Sequence, residues 1–399
     1  MKPVKLKNKI QHYTWGTADY IPSLLGIDNT EKEPFAELWM GTHPRGESVS
    51  MDDGTPVSEI IQSSPAEVLG KETVEKFGES LPFLFKVLSA GSPLSLQAHP
   101  NKKQAEEGFE RENSASVPLD AYNRNYRDSN HKPEIICALT PFTAMCGFRA
   151  PEEIDTLFSR TGSGVYRAHL SKILKSGGLK DFFSTYMRLD KPLLQELIRE
   201  VLAWAKEDDS LEAELVREFT SIYPSDPGVL SPLFLNVFSL KKGEALFQGP
   251  GELHAYVRGT GIELMANSDN VLRGGMTPKN VDLDELLNIL NFNAEKPAVI
   301  SGKETASCLY SYETKAEEFI LERAVLDNGC KQVRKILDSA EILLCVDGGG
   351  TLTYSGGSIR FSVGESFFIP CSLGDYLIEG KGECFISSVP VKSNGVSGR

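Results

Sequence analysis

"LSLQAHPNK", residues 94–102, places Gln97 and His99 two apart and ends its run at Pro100. On a strand successive side chains point to opposite faces. Gln97 and His99 therefore share one face, and Ala98 points the other way. The chain has only six histidines, so one placed beside a same-face amide invites a metal reading. Further ligands must come from distant stretches, and the candidates are Glu134 in "HKPEI" and His254 in "GELHAY". Gln97, His99, Glu134 and His254 together offer two imidazole nitrogens and two oxygens, a set that suits zinc, with iron or manganese as options. The glutamine oxygen is neutral, so the set would carry a single negative charge against a divalent ion. A site left near +1 remains a strong Lewis acid. Taken singly, each residue has a plainer reading: Gln97 an exposed amide, Glu134 a surface carboxylate.

The surroundings of this stretch are expected to be β-structure. "LPFLFKVLSA" (81–90) is an apolar strand, and "PLSLQAHP" (93–100) follows a Gly-Ser-Pro turn. "KPEIICALTPFTAMCGF" (132–148) reads as two short strands broken at Thr140-Pro141. The polar stretch between them, from Asn101 to Asn130, predicts a short helix and then a long loop of the kind that is often functional. Residues 151–235 change to a helical period, with Pro192 placed near a helix start. This segment is expected to be a helical insertion domain that covers the pocket mouth. Strands return near 236, followed by a helix over 277–292 opened by Thr277-Pro278. Residues 315–399 read as short strands separated by glycine-rich turns. "KKGEALFQGPGELHAY" (241–256) and "SVGESFFIPCSLGDYL" (362–377) share a Gly-Glu, strand, turn, strand rhythm. That rhythm suits a jelly roll, and only the first copy carries a histidine. The expected fold is mainly β with α: two cupin-like jelly-roll β-barrels with a helical insertion. Residues 1–150 with 236–314 would form the catalytic domain, 151–235 the helical domain and 315–399 a degenerate C-terminal β-domain.

With 399 residues, the chain is long enough for two or three domains. Hydrophobic residues make up 40% and charged residues 24%, as in soluble globular proteins. A net charge of −13 disfavours a nucleic-acid partner. The N-terminus lacks the apolar core of a signal peptide, and no apolar run approaches a membrane span. Seven scattered cysteines without CxxC spacing predict buried reduced thiols and a cytoplasmic protein, not a zinc–thiolate site.

Several blocks, in order, change the weight of these readings: "QHYTWG" (11–16), "AELWMGTHP" (36–44), "LPFLFKVLS" (81–89), "LSLQAHPNK", "NHKPEIICALTPF" (130–142), "PGELHAY" (250–256) and "LMANSDNVLRGGMTPK" (264–279). Together they resemble the type I phosphomannose isomerases over about residues 1–295, and more weakly beyond. The resemblance implies a zinc-dependent cupin enzyme, with one zinc per chain, that interconverts mannose 6-phosphate and fructose 6-phosphate. It implies Gln97, His99, Glu134 and His254 as the metal ligands. It also puts the family's essential arginine at Arg273, an acidic residue at Asp269, a lysine at Lys132 beside His131, and further site residues at Lys86 and Glu263. Trp15 of "QHYTWG" is assigned to the substrate pocket. One departure stands out: "GPGELHAY" is a residue tighter between proline and histidine than the family's usual run.

The chemistry so implied moves a proton between C1 and C2 of an open-chain sugar through a cis-enediol. Arg273, Lys132 and Lys86 are the cations expected to meet the phosphate or the sugar oxygens. Asp269, Lys132 and His131 are the candidates for the proton-transferring group. Each has a bland alternative: Arg273 as a helix cap, the lysines as solvated side chains, Asp269 as a turn residue, Trp15 as core. Two rival functions are a non-catalytic cupin that binds sugar phosphates and a metal oxygenase on the same barrel. A small-molecule partner, no nucleic acid, no membrane and a monomer are expected.

Overall fold

The apolar run at 81–90 forms the strand Phe83–Ala90, buried along its whole length. Such burial needs cover on both faces. In this computed structural model, which describes residues 1–327, 331–334 and 337–390, the two faces have different partners. Phe83, Phe85 and Val87 pack with Leu321, Ile342, Leu344, Phe368 and Phe385 from the C-terminal part of the chain. Leu84, Lys86 and Leu88 face a cavity on the other side. The period of two thus separates a structural face from a functional one within eight residues.

Around this strand lies an antiparallel sheet that includes Lys9–Gln11, Glu37–Met40, Glu134–Ala138, Glu244–Gln248 and His254–Ala266. The last of these has 13 residues and serves two layers. Its second half pairs with Phe83–Ala90 and Glu134–Ala138; its first half pairs with Leu96–Ala98 and Phe142–Phe148. The corner falls at Gly259, where φ is +117° and a Cβ would sit 2.5 Å from the carbonyl oxygen of Pro141. Only glycine suits that turn. The result is the two-layered jelly roll expected from the sequence. A second antiparallel sheet holds the C-terminal strands, with Glu341–Tyr354 and Tyr376–Ser388 at its centre. The first strand of the chain, Val4–Lys7, joins this second sheet by pairing Val4 with Phe368. Neither strand order closes on itself among the described residues, so the layers are jelly-roll sheets rather than sealed barrels.

The helical segment forms as its periodicity demands. Asp190 caps Lys191–Ala205 through the Leu193 N–H, and Leu197, Ile198, Val201 and Ala205 line its buried stripe. Ser210 caps Leu211–Ile222 in the same way. These helices do not lie mainly over the pocket mouth, as the sequence reading expected. They pack on the outer face of the second layer, burying Leu96, Ala98, Leu253, Ala255, Val257 and Leu272. Only Ile222 and Tyr223 reach the cavity. The reason is the alternation around Gln97: its two apolar neighbours need cover on the outside.

Two further expectations shift. The helix placed at 277–292 spans only Leu283–Ile289, because the Asp282 carboxylate accepts from the Glu285 N–H and sets the start there. Residues 277–280 instead line the cavity. Cys137, Cys146, Cys345 and Cys384 are buried free thiols, but Cys308 is disulfide-bonded. Among the described residues no helix is long and apolar enough to cross a membrane.

Candidate metal centre and its cavity

Register brings the sequence candidates together. His254 stands opposite Gln97, and Arg273 stands opposite Gln97 on the other side. His254, Gln97 and Arg273 therefore form one cross-strand row, with neighbours about 5 Å apart. Glu134 reaches the same place from the strand that pairs Met265 with Glu134. One ligand atom each from His99, Glu134 and His254 falls within 4.8 Å of the others, and all three residues are buried. Gln97 is half-buried, with its amide nitrogen 3.4 Å from His254 Nε2. An amide turned by 180° presents its oxygen at that position instead.

The outer nitrogens of both rings are already committed. His99 Nδ1 donates to the Asn270 carbonyl at 2.7 Å, and His254 Nδ1 donates to the Glu252 carbonyl at 2.8 Å. These bonds fix the tautomers and leave each Nε2 as a bare lone pair aimed inward. His99 Nε2 and Glu134 Oε2 are buried without any hydrogen-bond partner. Orphaned buried acceptors are costly and rare, and a divalent cation satisfies both. Burial pushes the His99 ring down to about 4, which keeps it in the ligating form. Burial alone would raise the Glu134 carboxyl; Lys132, 2.9 Å away, and His99 hold it well below the usual range. Two imidazoles, a carboxylate and an amide fit zinc by chemistry and by position.

The cluster borders a cavity of about 1080 Å³. Lys132, Asp269, Arg273, Trp15, Lys86 and Glu263 all line it. Trp15 presents an aromatic wall, stacked on Tyr13 with centroids 5.7 Å apart. Lys86 differs from expectation as a free phosphate cation. It is buried between Glu263 at 2.8 Å and Glu37 at 3.5 Å, so its charge is already spent. Burial lowers the affinity of its ammonium for the proton, and Glu263 and Glu37 outweigh that and raise it. Burial also pushes the Glu263 carboxyl up. His131 is a correction: its Nε2 meets Glu318 at 2.6 Å, and it does not line the cavity. Lys132 and Glu134 share one side of this extended segment, which turns His131 to the other.

Cations that the sequence reading did not single out complete the site. Arg127 and Lys279 line the cavity with Arg273, and none of the three forms an ion pair among the described residues. Burial and the Arg127 charge push the Arg273 guanidinium down; burial, Arg273 and Arg127 do the same to Lys279. Mutual crowding of unpaired cations marks a place made for an anion. Asn270 holds this arrangement to the metal site. Its side-chain oxygen accepts from the Arg127 N–H at 2.7 Å, its amide donates to Asp128 and Asn130, and its carbonyl orients His99.

A jelly-roll β-protein with a buried His–Glu–His cluster beside a cationic cavity belongs to the metal-dependent cupin enzymes. Comparison with known proteins narrows the class. The family profile for the type I phosphomannose isomerase catalytic domain matches residues 4–151, and that for the mannose-6-phosphate isomerase cupin domain matches residues 311–389. The chain is 38% identical to mannose-6-phosphate isomerase of Escherichia coli strain K12 over 95% of its own length and 97% of that protein. It is 33% identical to the human mannose-6-phosphate isomerase over 85% and 86% of the two chains. A zinc-bound crystal structure of mannose 6-phosphate isomerase superposes with a TM-score of 0.91, at 34% identity, covering 98% of this chain and all of that one. The apo form from Salmonella typhimurium also superposes with a TM-score of 0.91. The chain belongs to the type I mannose-6-phosphate isomerase family.

Proposed function

We propose that this protein is a zinc-dependent aldose–ketose isomerase that interconverts D-mannose 6-phosphate and D-fructose 6-phosphate through a cis-enediol. One observation carries the reading: the orphaned His99 Nε2 and Glu134 Oε2 belong to one tight cluster, and Glu134 lines a cavity that also holds unpaired cations. Gln97, His99, Glu134 and His254 would hold one zinc per chain. When bound, zinc supplies Lewis-acid polarisation of a sugar carbonyl.

The protein's own residues divide the rest of the work by charge. Glu37, Lys86 and Glu263 place two carboxylates against one ammonium, so their part of the cavity repels phosphate. Arg127 and Lys279 attract it. Arg273 stands beside Gln97 in the cross-strand row, which suits the oxygens on C1 and C2. The substrate would thus lie with its phosphate among the cations and its reacting carbons toward Gln97 and Glu134. Lys132 and Asp269 face the cavity, and movement of the carbon-bound proton falls to one of them. A sugar phosphate also suits a chain of net charge −13 that holds unpaired cations in a cavity.

The test is coupled conversion of mannose 6-phosphate by the purified, zinc-loaded protein. Steady formation of fructose 6-phosphate is expected. Saturable binding without turnover would replace this reading with a sugar-phosphate sensor.

A further inference from the structure

His43, in the block "AELWMGTHP", has been given no role so far, yet it is buried and lines the cavity. Its ring stands edge-on to Trp39, with centroids 4.8 Å apart and planes at 73°. Its Nδ1 accepts the backbone N–H of Arg45 at 3.2 Å. A ring nitrogen that accepts cannot carry the proton, so the hydrogen sits on Nε2. Nε2 lies 3.4 Å from Asp269 Oδ1. Arg45 contacts the same oxygen and stacks over the Trp39 ring at 5.9 Å. Trp39 in turn donates its Nε1–H to Glu37 at 2.7 Å. The wall from Glu37 to Asp269 is thus a run of hydrogen bonds and ring contacts that ends at His43 and Arg45.

We infer that His43, locked in its Nε2–H tautomer by the Arg45 backbone, is a positioning residue that aims the Asp269 carboxylate at a sugar hydroxyl in the cavity. The inference rests on the isomerase reading and deepens it. The chemistry is that of an orienting dyad, in which a ring N–H fixes one carboxylate oxygen and leaves the other for substrate. Burial would raise the Asp269 carboxyl, but its contact with His43 and the nearby charges of Arg45 and Lys132 outweigh that and lower it. Asp269 is therefore an ionised acceptor throughout the physiological range. Lys132, Arg45 and Tyr13 are the other titratable groups around it in the cavity wall.

Two measurements test this on the zinc-loaded, full-length protein. The first is ¹⁵N–¹H correlation of the imidazole rings, with His43 assigned by the signals that vanish in His43→Gln. An Nε2–H tautomer is expected; an Nδ1–H tautomer overturns the inference. This readout does not depend on activity, so a wrong tautomer and a failed isomerase reading are told apart. The second compares His43→Phe, which keeps the packing against Trp39 and loses the donor, with His43→Gln, whose amide reaches about as far as the distal ring nitrogen. His43→Phe is expected to lower kcat/KM about tenfold or more at unchanged zinc content, as loss of a hydrogen bond to a charged group does. His43→Gln is expected to recover most of that loss. Parent-like kinetics in His43→Phe, or equal impairment of both variants, overturns the inference.

Discussion

At the scale of the residue, two lone pairs without partners set the chemistry. His99 Nε2 and Glu134 Oε2 are stranded in a buried place, and the protein accepts that cost where a cation would relieve it. His254→Ala is expected to cut zinc content from about one per chain to well below it, measured by elemental analysis on dialysed protein. Retention of full zinc would remove His254 from the ligand set. Arg273→Ala is expected to keep its zinc and lose about 30-fold or more in kcat/KM, because a charge-assisted contact to substrate oxygens disappears. Unchanged turnover would return Arg273 to an ordinary surface role. That His99, Glu134 and His254 come together was legible, because strand alternation and the ordered sequence blocks both single them out. Arg127, Lys279 and His43 were not. Each lies in a loop, and nothing local says that Asn270 will hold Arg127 or that His43 will sit against Asp269. His131 misled because neighbours on an extended chain diverge, and Lys132 took the inward side.

At the scale of the element, the short strand Leu96–Ala98 carries the site on one face and its support on the other. Leu96 and Ala98 sit in one apolar cluster with Phe148, Phe158, Phe182, Phe183 and Tyr186. Phe148 and Phe183 meet edge to face at 5.2 Å. Phe183→Ala is expected to destabilise the protein by about 3–5 kcal/mol through the cavity it leaves. Urea unfolding of the variant measures this; a loss below about 1 kcal/mol would mean that the cluster re-packs without cost. The strand at 83–90 was legible from its own composition, and so were the helices capped by Asp190 and Ser210. The helix ascribed to 277–292 was over-extended because Thr-Pro is a good opening signal, while the cap that forms belongs to Asp282. The pairing of Val4 with Phe368 leaves no local trace, since register between strands so far apart is decided by the assembled sheet.

At the scale of the whole molecule, the two sheets share an apolar layer. Phe83, Phe85, Val87, Ile135, Ile262 and Leu264 meet Leu321, Ile342, Leu344 and Phe385 there. Polar ties border it: Lys242 to Glu383 at 2.8 Å, the Tyr312 hydroxyl to the Gly243 carbonyl at 2.9 Å, and His131 to Glu318. The C-terminal sheet covers this layer with Leu321, Ile342, Leu344, Phe368 and Phe385. A chain cut after residue 310 is expected to expose the layer and to lose cooperative unfolding, as followed by circular dichroism. A sharp, parent-like transition in the truncated chain would show that the catalytic sheet does not need that cover. The central claim, however, is that a single zinc held by Gln97, His99, Glu134 and His254 makes the cavity an isomerase site. Zinc content and mannose 6-phosphate turnover, measured on one preparation before chelation, after it, and after zinc is restored, test that claim directly. The account predicts about one zinc per chain, activity lost with the metal and regained on its return. Full turnover by protein stripped of metal would contradict it.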